Sequence, residues 1–218
     1  MSSFDLVPGA GESPVILHVP HSSREIPDDV RAGIVLDDSA LERELDHIVD
    51  AHTAELAEEA ARLARMAPWR FVNRLSRLVV DPERFPDERE EMLAVGMGAV
   101  YTKTTGREEL RPADTDPEPL ITRYFRPYAR AMTDAVAERL AVAGRAVVID
   151  VHSYPIFARC PTSCTVRGRG RRSVSVPIPS TRHPNCSPRR GRRSGRSGWT
   201  VRSVGRTCRW SSTAAIPA

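Results

Sequence analysis

The composition of this chain breaks near Ile156, and the break decides which part can build a core. Residues 157–218 contain no Leu, Asp, Glu or Lys, yet hold 14 Arg and all four Cys. The last Leu is Leu140 and the last acid is Asp150. A segment without apolar periodicity buries too little surface to offset the entropy of ordering it. A folded domain is therefore expected over 1–156, with 157–218 as an Arg/Ser/Pro-rich disordered tail. The net charge of +4 hides this division. Of 32 basic and 28 acidic residues, the tail takes 14 basic and no acidic ones, which leaves the head near −10.

The tail composition is also that of an out-of-frame translation. A one-base shift, with degenerate codons chosen freely, permits RALPYELH from Phe157–Thr165. It permits CLGTDPFHTPPELL from SVSVPIPSTRHPNCS and YVPVEFYGRDPR from the last residues. Leu, acids and aromatics return in all three strings, so the tail is expected to be frameshifted and receives no function. Its Cys residues form no CxxC pair and are not read as a zinc site. The head has no Cys, no basic-then-apolar opening and no long apolar run. A cytoplasmic protein with no membrane partner is the expectation.

Within the head, Pro14–Val19 is a short apolar run and reads as a buried strand. Residues 38–65 show helical spacing, with Asp38 or Ser39 as cap. Residues 69–80 hold two β-like pieces, WRFVN and RLVV. Residues 82–118, rich in Pro, Gly and charge, read as a long surface excursion. Residues 117–143 carry one apolar stripe from Leu120 to Leu140, stopped by Gly144. Ala146–Val151 reads as a second buried strand. Strands alternating with helices predict an α/β protein with a layered sheet.

Two polar clusters end the two best strands: His18-Val-Pro-His21-Ser22-Ser23 and Asp150-Val-His152-Ser153. Ligands of open α/β sheets bind beyond the carboxyl ends of strands, so both clusters face one crevice. Histidines from distant strand ends suit a catalytic zinc site, which takes three protein ligands and leaves one position for water. Asp46 and Asp50, four apart on the first helix, are candidates for an acidic third ligand, with His47 and His52 nearby.

Together HVPHSSREIP, NRLSRLVVDPER and VVIDVHSYP resemble the N-formylglutamate amidohydrolase family over about residues 14–155. The restored strings PYELHG, GTDPFHTP and YVPVEFYGRDPR resemble its later part. The resemblance implies a three-layer mixed sheet with flanking helices, similar to zinc carboxypeptidases and other zinc exopeptidases and incomplete at the C-terminus. It implies hydrolysis of an N-formyl amide to formate and glutamate, a step of histidine catabolism. It makes His152 a zinc ligand and His21 the first-half ligand, with His18 as competitor. The carboxypeptidase pattern wants a Glu where Arg24 stands, which leaves the acidic ligand open, and Asp46 is the preferred candidate. An acidic substrate asks for guanidinium groups, and Arg74, Arg77 and Arg84 lie in the matching segment. Asp81 is expected to orient one of these arginines or a ligand His. The family's general base, a late Glu, is expected beyond the end of this chain, which would leave it inactive.

Two other classes compete. One is a non-catalytic acidic domain with a basic tail that binds nucleic acid, marked by a steep salt dependence. The tail holds only Phe157, Trp199 and Trp210 for stacking, so no nucleic-acid partner is expected. The other is a metal-free relative that only binds an acidic small molecule.

Overall fold

A computed structural model describes residues 2–154 and two three-residue strands further on. Strand β1 (Phe4–Val7) is followed by β2 (Val15–Val19), the short helix α1 (Asp28–Arg31), α2 (Asp38–Ile48), α3 (Thr53–Leu63) and β3 (Trp69–Asn73). One 3-10 turn (Glu91–Val95) lies in the long connection that follows. Then come α4 (Glu118–Leu120), a wide π-turn (Ile121–Phe125), α5 (Arg126–Ala143) and β4 (Val147–Asp150). The remaining strands, β5 (Ser175–Pro177) and β6 (Gly198–Thr200), pair antiparallel with each other. The tail expected over 157–218 otherwise lies outside the described residues.

The main sheet has the order β1-β3-β2-β4. β2 runs parallel to both β3 and β4, and β1 is antiparallel to β3. Side chains alternate across a strand, and helices cover both faces. Ile16 and Phe71 meet Tyr128 and Ala135 of α5 on one face. Leu17 and Val19 meet Ala57 of α3 on the other. The chain is thus a mixed α/β protein, as the alternation of strands and helices predicts. No helix among the described residues is long and apolar enough to cross a membrane.

Several expectations are corrected. The helix expected over 38–65 is two helices, because Val49 turns extended and His52 adopts φ 64°. The Asp50 amide leaves the helical ladder and bonds the His21 carbonyl at 3.0 Å. The cap is Asp37, whose carboxylate accepts from the Ala40 amide. RLVV is no strand: Ser76 accepts from the Leu78 and Val79 amides, which bends the chain there. The excursion 82–118 is not a surface loop, since Tyr101, Leu110 and Arg111 are buried. Arg111 donates to the carbonyls of Tyr101 and Leu78 and so seals the excursion over Leu78. β4 is not fully buried: Val147 and Val148 are 43% and 39% exposed. Among the described residues it is an outer strand of this sheet, with β2 as its partner. The 117–143 helix holds and stops at Gly144, which takes φ 68°. Its π-turn precedes Pro127, whose missing N–H leaves the Arg123 carbonyl without its i+4 donor.

Candidate metal centre

β2 and β4 run side by side and parallel, so the segments leaving them emerge at the same edge of the sheet. His21 follows β2 and is almost wholly buried. His152 follows β4 at the rim, and the two rings lie 5.4 Å apart. Between them reaches Glu83, from the irregular stretch after β3. Its carboxylate lies 3.2 Å from His152 Nε2 and 3.5 Å from His21 Nδ1. One donor atom each from His21, Glu83 and His152 all fall within 4.8 Å of one another.

The outer nitrogen of each histidine is held by a carboxylate. Asp81 takes His21 Nε2 at 2.9 Å, and Asp50 takes His152 Nδ1 at 2.7 Å. Such outer partners fix the tautomer and aim the opposite nitrogen at a cation. His21 Nδ1 is the telling atom, being buried and without a hydrogen-bond partner. A buried orphan nitrogen is costly, and a cation among these donors would satisfy it. Two imidazoles and one carboxylate are also a donor set that divalent zinc accepts. The residues fit the group.

Asp81 is the hub of the centre. Burial alone would push its carboxyl up. Hydrogen bonds from His21 and Tyr101 and the charge of Arg77 outweigh that and hold it well below the usual carboxylate range. It also accepts from the Glu83 amide, which seats that loop. His152 is pushed up to about 10 by its bonds to Asp50 and Glu83, against the opposing effect of burial. A cavity of about 370 Å³ adjoins, lined by Asp50, Arg77, Glu83, Arg84, His152 and Tyr154.

The expected site residues divide. His21, His152, Arg77 and Arg84 converge here. Asp46 does not: its carboxylate is 69% exposed and pairs with Arg24 on the outer side of α2. The α2–α3 break explains this, because it turns Asp50 inward and leaves Asp46 on the regular outer helix face. Arg74 does not line the cavity either; it sits near Asp5 on the surface, at 3.5 Å. His18 is buried within β2 itself, with Asp150 on Nδ1 and Tyr128 on Nε2. Its donor atoms also cluster with those of Glu83 and Asp150. Sequence reasoning missed Glu83 and Tyr101. The signal for Glu83 was the polar DPER turn that directly follows the buried Leu78–Val80.

The fold and site define a mixed α/β protein with a candidate metal centre of two histidines and a glutamate, beside a cleft that carries Arg77 and Arg84. The comparisons narrow this: the family model described as N-formylglutamate amidohydrolase matches residues 13–193, and the chain belongs to that family. The match extends beyond the 14–155 expected. No curated protein matches. Solved structures do match, and two are informative. One is an N-formylglutamate amidohydrolase from Ralstonia eutropha JMP134, at 22% identity and TM-score 0.60. It covers 71% of this chain and 59% of that one. The other is the gene product Atu2144 from Agrobacterium tumefaciens, at 23% identity and TM-score 0.53, over 72% of this chain and 59% of that one. Such likenesses carry the fold. The chain spans 59% of the length of each of these relatives.

Proposed function

We propose that this chain is built as a zinc-dependent amidohydrolase acting on an N-formyl or other N-acyl amino acid, with N-formylglutamate as the leading substrate, in a zinc-exopeptidase-like fold. The observation that carries the reading is the buried, unpartnered His21 Nδ1 facing Glu83 and His152. These three side chains would hold the cation. When bound, such a cation supplies carbonyl polarisation and a water acidified to a pKa of ~7.

The chain's own residues do the rest. Asp81 and Asp50 keep the two imidazoles aimed inward. Arg77 and Arg84 line the cavity with positive charge and receive the substrate's carboxylate. A guanidinium carries five donors, and Asp81 engages only two nitrogens of Arg77, so the group can bridge protein and substrate. The buried face of the site, closed by Tyr101 and Asp81, keeps water off the outer hydrogen bonds and strengthens them.

The test starts with zinc content of the purified full-length chain by mass spectrometry, then formate release from N-formyl-L-glutamate before and after chelation. One zinc per chain is expected, lost in His21→Ala and in Glu83→Gln. A chain that binds no divalent cation at micromolar concentration sinks the reading. A chain that binds zinc but releases no formate retains the centre and loses the activity.

A further inference from the structure

His18 and Asp150 are register partners in the parallel β2/β4 ladder. Their side chains meet at 2.7 Å, His18 Nδ1 to Asp150 Oδ1. An ionised carboxylate only accepts, so Nδ1 carries a proton, and in the neutral ring Nε2 is then the acceptor. Tyr128 of α5 supplies the matching O–H at 2.6 Å, in a buried position. Phe71 packs edge-on against both rings. Every polar atom of the His18 ring is thus engaged, in contrast to His21.

We infer that His18 is not a cation ligand but a positioning residue. With Asp150 and Tyr128 it clamps the ends of β2 and β4 in register, so that His21 and His152 meet across the cleft. The inference rests on the cation reading above. His21 lies three residues beyond His18, and His152 two beyond Asp150, so the clamp sits at the root of both ligand segments. β4 needs it. It is four residues long, with Val147 and Val148 exposed, and a short outer strand is weakly held by its backbone ladder alone. A one-residue slip would carry His152 about 3.3 Å along the strand and reverse its facing, out of reach of Glu83. The charge-assisted bond to Asp150 opposes that slip, and Tyr128 ties the clamp to the helix layer.

The experiment titrates the full-length chain and its variants with Co²⁺ alone. It reads the visible d–d spectrum, the affinity and the stoichiometry, with a thermal melt as fold control. His18→Leu should weaken binding about 10–100-fold and shift the d–d bands. His18→Asn, which keeps an amide N–H towards Asp150, should restore most of both. Tyr128→Phe keeps the aromatic packing and should give a smaller loss in the same direction; it carries the test if His18→Leu does not fold. Unchanged affinity and spectrum in folded variants overturn the inference. So does a second Co²⁺ per wild-type chain that disappears in His18→Leu, because His18 would then be a ligand. Wild type that binds no Co²⁺ overturns the cation reading itself and is recognised before any variant is made.

Discussion

The two walls of the cleft are built on opposite principles. One wall is the sheet, where β2 and β4 present His21 and His152 from a regular ladder with helices on both faces. The other is the stretch from Arg74 to Arg111, which has a single 3-10 turn as regular structure. It nevertheless buries Leu78, Tyr101, Leu110 and Arg111 as completely as the sheet buries Ile16 and Phe71. The sheet supplies the imidazoles. The irregular wall supplies the carboxylates Asp81 and Glu83 and the guanidinium groups Arg77 and Arg84. Histidines need only an exit point from a strand. Carboxylates that must bond a ring nitrogen, an amide and a guanidinium at once need a backbone free to turn, and Asp81 does all three.

The comparison breaks first on stability. If the irregular wall is part of the core, Leu110→Ala costs as much as Leu17→Ala in the sheet, about 2–5 kcal/mol each. Chemical denaturation of the two variants checks this. A Leu110→Ala chain with an unchanged midpoint would make the wall a mere cover.

The contact between the walls is sharpened by pH. In the metal-free chain His152 titrates near 10, above its ordinary 6.5. A raised histidine contributes stability that is complete below about pH 6.5 and lost as pH rises through about 10. The melting temperature of the chelated chain should fall across that window, and His152→Asn should flatten the fall. Cation binding needs the neutral ring, so apparent affinity should rise over the same range. A melt as flat in the parent as in the variant would mean that Asp50 and Glu83 do not grip His152.

The smallest effect separates surface from wall. Arg74 and Asp5 are each about half exposed and 3.5 Å apart. Arg74→Ala should change stability by about 0–1 kcal/mol and leave binding of N-formylglutamate unchanged. Arg77→Ala should weaken that binding, as read by calorimetry. Equal losses in the two variants would erase the distinction.

What could be read early follows the same division. HVPHS and DVHS are contiguous motifs at the ends of apolar runs, so their convergence follows from strand direction alone. Asp46 and Asp50 looked equivalent because helical periodicity assumes an unbroken helix. The break comes from the Asp50 amide bonding the His21 carbonyl, a contact between segments far apart in sequence. Tyr101 and Arg111 sat in a stretch whose charge and Pro content mimic a solvated loop. No local pattern reports that Arg111 ends among backbone carbonyls, where burial lowers its pKa to about 10.

By itself the sequence determined the alternation of strands and helices, the boundary in composition and the two histidine clusters, because each is written in neighbouring residues. Only the tertiary structure decided which carboxylates serve those histidines, which arginines reach the cavity and that His18 is spent on Asp150 and Tyr128. Those choices are hydrogen bonds between distant segments, and a hydrogen bond requires two atoms within about 3 Å, a condition that spacing along a chain does not encode.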